Sequence, residues 1–119
     1  MGTTMTFRIL GCGSSPGNPR IGNDWGRCDP KEPKNRRRRA SILVTRRAAN
    51  GATTRVLVDT GPDLREQMLD AQVDWVDGVL ISHAHADHIH GIDDLRAFVL
   101  NRRHLVDIWM DETASKRVR

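Results

Sequence analysis

The chain has 119 residues, 38% of them apolar and 29% charged, with 19 Lys and Arg against 15 Asp and Glu, a net charge of +4. That length suits a single small domain over residues 1–119 and leaves too little chain for two. No apolar run approaches the roughly 18–20 residues needed to cross a membrane, and two cysteines, Cys12 and Cys28, cannot build a disulfide framework.

Charge is unevenly spread. Between Arg20 and Arg47 ten basic residues face three acidic ones, a net of +7. From Pro62 onward seven basic residues face eleven acidic ones, a net of −4. A basic first half suits an anionic partner, phosphate or nucleic acid, although a solvated basic loop has the same composition. Met1 to Arg8 shows no basic stretch followed by an apolar run, so no export signal is expected and the cytoplasm is the expected location. Only five aromatic residues are present. A thin core follows, or else apolar surface that something outside this chain covers.

Thr4 to Leu10 predicts a first strand, ending at Gly11. Gly11 to Arg39 is a long irregular stretch rich in Gly, Pro, Asn, Asp and Arg, a composition found in functional or disordered loops. Ala40–Thr45 and Arg55–Asp59 predict two short strands, and Asn50-Gly51 between them predicts that they pair as a hairpin. Pro62-Asp63 opens a helix whose inward face is expected at Leu64, Met68, Leu69 and Gln72. Gly78 to Ile81 is a short apolar run that suits a strand buried on both faces. Ile92, Leu95, Phe98 and Val99 predict a second amphipathic helix, with Asp93 and Asp94 in its first turn. Leu105 to Met110 predicts another strand, and Asp111-Glu112-Thr113 starts a further helix that the chain, ending at Arg119, does not complete.

Four candidate metal ligands fall within six residues in the run His83-Ala84-His85-Ala86-Asp87-His88. The run stands at the C-terminal end of a strand and before a helix, where open α/β sheets place their ligand sites. Residues two apart on an extended segment point the same way, so His83 and His85 can converge on one ion. A turn at Ala86 would let Asp87 and His88 face a second position. Imidazole nitrogen and carboxylate oxygen suit zinc, and with more oxygen ligands manganese or iron. A lone histidine is more often a core or surface residue, but three with an aspartate at this spacing are not. His90 reads as a residue at the next helix or behind the ligands, and His104, beside Arg102 and Arg103, as a surface residue.

The run resembles the signature of the metallo-β-lactamase superfamily. Asp59-Thr60-Gly61 ending a strand and Gly78-Val-Leu-Ile-Ser82 leading into the run resemble that superfamily as well. Gly11-Cys-Gly-Ser-Ser-Pro-Gly-Asn-Pro19 and Pro33-Lys-Asn-Arg-Arg-Arg-Arg-Ala-Ser41 are similar to its phosphodiesterase branch, which holds the phosphoribosyl cyclic phosphodiesterases (the PhnP type) and, more distantly, tRNase Z. The resemblance implies an α/β (α+β) fold, the αββα sandwich, of which this chain corresponds to the N-terminal half, a mixed sheet with flanking helices. It implies two divalent ions, zinc or manganese, with His83 and His85 on one and Asp87 and His88 on the other. Asp59 would hold the motif loop by hydrogen bonds, although a plain strand-ending turn residue is the local alternative. The reaction implied is hydrolysis of a small cyclic phosphate or nucleotide-like ester through a dinuclear metal-bound hydroxide, with Asp87 also orienting or deprotonating the water. RNA processing of the tRNase Z kind is the alternative reaction, with thiolester and β-lactam hydrolysis behind it.

Two departures from the family pattern matter. The PhnP type often carries a cysteine-rich structural zinc site after the first strand, and Cys28 alone in that loop cannot close one. The family's remaining ligands, two histidines and a bridging aspartate, lie downstream of Arg119. A metal-binding piece without catalytic competence is therefore a third reading, and an uncovered sheet face makes a homo-oligomer a further expectation. For a phosphate, Ser14 and Ser15 with nearby backbone N–H groups, and Arg37 and Arg38 in the arginine run, are the candidate contacts. A solvated strand entry, or pairing of those arginines with acidic groups, is the alternative for the run. Nucleic acid is a weaker expectation, because basic charge here lacks interleaved aromatic platforms.

Overall fold

The computed structural model describes residues 2–118. Among them, five strands form one sheet in the order β1-β2-β3-β4-β5. β1 (Thr4–Gly11), β2 (Ser41–Arg47) and β3 (Thr53–Val58) pair antiparallel with one another, β1 with β2 and β2 with β3. β4 (Gly78–Leu80) and β5 (Asp107–Trp109) continue the sheet in parallel. Helices α1 (Leu64–Ala71), α2 (Ala86–Ile89) and α3 (Arg96–Arg102) fill the connections, and α4 (Glu112–Val118) follows β5. Arg119, where the sequence ends the last helix, lies outside the described residues.

The hairpin between β2 and β3 forms as Asn50-Gly51 predicts. Gly51 takes a φ of 88°, in the left-handed region that glycine tolerates best, and its N–H reaches the Ala48 carbonyl at 2.9 Å. The parallel connections use helices because a parallel neighbour needs a crossover. Helix α1 stops where Gln72 turns left-handed, its N–H bonding the Leu69 and Met68 carbonyls.

Strand alternation gives the sheet one covered and one open face. The cross-strand row Leu43, Leu57, Val79 is buried. It packs in one core with Leu64 and Met68 of α1, with Leu95, and with Phe98 of α3. The adjacent row, Ile9, Ile42, Val58, Leu80, Trp109, lies on the other face. There Phe7 is 64% exposed, Ile9 68% and Trp109 55%. This one-sided packing is what half of a sandwich would show, and the open apolar face matches the apolar surface foreseen from composition.

Three expectations need correction. β4 is buried on one face only, because Leu80 stands on the open side at 44% exposure. A three-residue apolar run cannot by itself distinguish one covered face from two. In α1 the third inward residue is Gln67, 1% exposed, whereas Leu69 is exposed and Gln72 ends the helix. Gln67 lies inside because its Nε2 donates to the Arg39 carbonyl at 2.9 Å, tying α1 to the long loop. The expected single helix from Ile92 is a 3₁₀ turn, Ile92–Leu95, running into α3.

Leu57 is fully buried at the centre of the sheet. Leu57→Ala should lower stability by about 3 kcal/mol, the usual cost of lost burial plus the cavity left behind. Urea denaturation with an unchanged slope and a lowered midpoint is the expected result.

Candidate metal centre

The site is built where β3 and β4 end side by side. Their register sets Val58 opposite Leu80, so the residues just beyond them, Asp59 and Ser82, meet at one end of the sheet. Asp59 adopts a φ of 67°. Aspartate tolerates this left-handed conformation better than most residues, yet it still costs energy. The surroundings hold it there: its N–H donates to the Leu80 carbonyl at 2.8 Å, and only 5% of the residue is exposed.

The Asp59 carboxylate accepts three hydrogen bonds. Oδ1 takes the Ser82 N–H at 2.7 Å. Oδ2 takes the Ser82 hydroxyl at 2.6 Å and His88 Nδ1–H at 2.6 Å. The Nδ1 proton of His88 is thereby held toward Asp59, which leaves Nε2, in the neutral ring, as the nitrogen free to bind a metal. That Nε2 faces Asp87 Oδ2 across 3.1 Å. Two electron-pair donors so placed can both touch a single ion at about 2.0–2.2 Å, the zinc distance for nitrogen and oxygen ligands. The donor set therefore fits a divalent cation.

The other two imidazoles stand close by. The His83 ring centroid is 4.0 Å from that of His88 and 4.6 Å from that of His85. All four motif residues thus gather in one place, with His83, Asp87 and His88 partly buried and His85 exposed. Among the described residues no three His, Cys, Asp or Glu side chains are placed to hold one ion together. His88 Nε2 and Asp87 Oδ2, 3.1 Å apart, are the two candidate donors that face each other directly.

The strand–turn–helix around the run is held by backbone bonds to the Asp59-Thr60-Gly61 turn. Thr60 N–H donates to the His88 carbonyl and Gly91 N–H to the Thr60 carbonyl, both at 2.8 Å. Glycine is needed where these segments touch. A Cβ on Gly91 would lie 1.8 Å from the Gly61 oxygen, and one on Gly61 would lie 2.4 Å from the Asp87 oxygen. Beside the histidines opens a cleft of about 170 Å³ lined by His83, Ala84, His85, Asp111, Thr113, Ala114 and Arg117.

The other sequence candidates lie in or beside the long loop. Arg38 donates to Asp70 at 2.6 Å and to the Leu10 carbonyl at 3.1 Å. Arg39 bridges Asp63 at 3.3 Å and the Ser15 carbonyl at 3.1 Å. Both therefore anchor the loop to the core, the acidic-pairing role that the sequence left open. The Arg37 guanidinium has the Cys12 sulfur, at 3.6 Å, as its only hydrogen-bond partner among the described residues, and Arg37 is exposed, as are Ser14 and Ser15. The loop's backbone is pinned more than its composition suggests. The N–H groups of Gly13, Gly17 and Asn18 already donate to the Arg38, Ser14 and Arg37 carbonyls. Farther out, the Gly26 N–H, then the Arg20 guanidinium, hold the Asp24 carboxyl below its usual value. His90 ends α2 and is exposed, and His104 stands edge-on to Trp75 at 5.8 Å, away from the motif.

Ser82, Thr113 and Arg117 are the site residues that sequence reasoning did not single out. Ser82 had a signal, since it closes one parallel strand beside the aspartate that closes its neighbour. Thr113 and Arg117 had none, because only the docking of α4 brings them to the histidines.

A mixed sheet backed by helices on one face, with a His/Asp cluster at the strand ends, is an α/β architecture with a candidate metal site. The β-lactamase superfamily domain matches residues 54–119, from β3 to the end of the chain. The chain belongs to the beta-lactamase superfamily. It superposes on the crystal structure of a diphosphatase of the PhnP family with a TM-score of 0.84 and 35% identity, over 98% of this chain and 45% of that one. Zinc-bound PqqB from Methylobacterium extorquens shares the fold at 16% identity, with a TM-score of 0.55 over 91% of this chain and 46% of that one. A protein of Porphyromonas gingivalis (strain ATCC BAA-308 / W83) named octanoyltransferase is 38% identical over 94 residues, which are 79% of this chain and 18% of that protein. The chain thus spans under half the length of each. Its layers are those of a metallo-β-lactamase fold in part, as the motif implied.

Proposed function

We propose that this chain carries the first-half ligands of a two-metal hydrolase acting on phosphoric esters. The observation that carries the reading is the carboxylate of Asp59, which fixes the Nδ1 proton of His88 and leaves its Nε2 facing Asp87. His83 and His85 would hold one ion, and Asp87 and His88 the other. Two divalent ions, zinc or manganese, would supply Lewis-acid polarisation of a phosphoryl oxygen and a lowered pKa for water. Asp87, beyond binding, would orient the attacking water through its second carboxylate oxygen. Thr113, Arg117 and Asp111 line the cleft beside the ligands, so an anionic ester entering there would meet a hydroxyl, a guanidinium and a carboxylate that already accepts the Ala114 N–H. The 35% identity to a PhnP-family diphosphatase supports phosphate over thiolester or β-lactam chemistry. A small phosphodiester or diphosphate-like compound is the proposed substrate.

That no three candidate ligands converge on one point among the described residues favours a second reading, in which the chain alone binds metal without turnover. Hydrolysis of bis(p-nitrophenyl) phosphate by protein loaded with zinc or manganese separates the two. The hydrolase reading expects turnover that His85→Ala reduces to background. Turnover unchanged by His85→Ala would contradict it, and bound metal with no turnover would select the second reading.

A further inference from the structure

The motif histidines are not held alike, and the difference traces to one hydroxyl. Ser82 Oγ lies 2.6 Å from Asp59 Oδ2 and 2.9 Å from His83 Nδ1. A carboxylate oxygen only accepts, and a hydroxyl has a single proton. The Ser82 proton must therefore point at Asp59. The serine oxygen is left as acceptor, so His83 Nδ1 carries its own proton and donates it. This leaves the lone pair of His83 on Nε2. His88 is set in the same state by direct contact with the same Asp59 oxygen. His85 makes no side-chain hydrogen bond among the described residues.

We infer that Ser82 is a positioning residue, a hydroxyl relay through which one carboxylate, Asp59, sets the tautomer of one imidazole at each of the two metal positions. The inference rests on the metal-site reading above for its consequence, and on the hydrogen bonds alone for its cause. Asp59 acts on His88 in one step and on His83 in two. The two positions are thus prepared by a single buried group and respond to different changes. Loss of the serine hydroxyl frees His83 but leaves Asp59, His88 and the Ser82 N–H contact intact. The position shared by His83 and His85 should weaken, while that of Asp87 and His88 should hold. Partners that orient a ligating imidazole are worth about 10–100-fold in metal affinity. Because Ser82 is exposed to water, which can replace part of the contact, the low end of that range applies, about tenfold.

The test compares wild type, Ser82→Ala and Ser82→Thr in the full chain by two measurements. Long-range ¹H–¹⁵N spectra of the metal-free imidazoles report which nitrogen of His83 is protonated. Zinc titration against a chromophoric chelator reports affinity at each position. Expected are a single Nδ1–H tautomer for His83 in wild type and a mixture in Ser82→Ala. One of two zinc affinities should fall about tenfold, and Ser82→Thr should restore both readouts. An unchanged His83 tautomer in Ser82→Ala overturns the relay, as does an equal loss at both positions. If wild type takes up no zinc, the metal-site reading fails, and the relay then stands or falls on the tautomer of His83.

Discussion

Asp59→Asn should lower zinc affinity at both positions, by about 10–100-fold each. The substitution keeps the side-chain shape and the tolerance for the left-handed backbone that Asp59 adopts at φ 67°. It removes one acceptor oxygen and adds an N–H₂ donor. Three donors converge on the carboxylate: the Ser82 N–H, the Ser82 hydroxyl and His88 Nδ1–H. An amide cannot accept all three. If its nitrogen faces Ser82 N–H, two N–H groups collide in a buried place. If it faces the other side, the hydroxyl must turn away and His88 must move its proton to Nε2, the atom needed for metal. Zinc titration distinguishes this double loss from the single loss expected of Ser82→Ala. Full affinity in Asp59→Asn would show that the carboxylate is a turn residue and nothing more.

Gly91→Ala should destroy the site more completely than loss of any one hydrogen bond. The added Cβ would sit 1.8 Å from the Gly61 oxygen and 3.2 Å from the Leu64 Cβ, and backbone cannot yield as a flexible side chain can. Overpacking of this kind usually costs about 1–3 kcal/mol, and sometimes more. Here the yielding part is the Thr60–Gly91 bond and, with it, the turn that carries Asp87 and His88. The expected result is a lowered midpoint in urea together with zinc uptake at background level. Gly2→Ala, where a Cβ meets nothing within 4 Å, should leave both unchanged. A Gly91→Ala protein that binds zinc like wild type would mean that the motif loop does not depend on this contact.

The gathering of His83, His85, Asp87 and His88 was legible because it is local. Three imidazoles and a carboxylate within six residues need only a strand end and a turn to gather, and the apolar run before His83 supplied the strand. The hairpin was legible for a similar reason, since Asn50-Gly51 encodes a backbone conformation directly. What escaped the sequence depends on contacts across the fold. Gln67 displaces Leu69 from the inward face of α1 because the Arg39 carbonyl offers it a partner. Leu80 is exposed because the far face of the sheet is uncovered, which a three-residue run cannot reveal. The arginine run looked uniform, yet Asp70 and Asp63 bind Arg38 and Arg39 and leave Arg37 exposed. Ser82 is an ordinary strand-end serine until the register of β3 and β4 sets it against Asp59.

The central claim is that His83, His85, Asp87 and His88 form two adjoining cation positions. Zinc content per chain, measured by elemental analysis after loading and removal of free metal, tests it most directly. Two equivalents are expected for wild type, with a loss confined to one of them in His85→Ala. A folded wild-type protein that retains no zinc would contradict it.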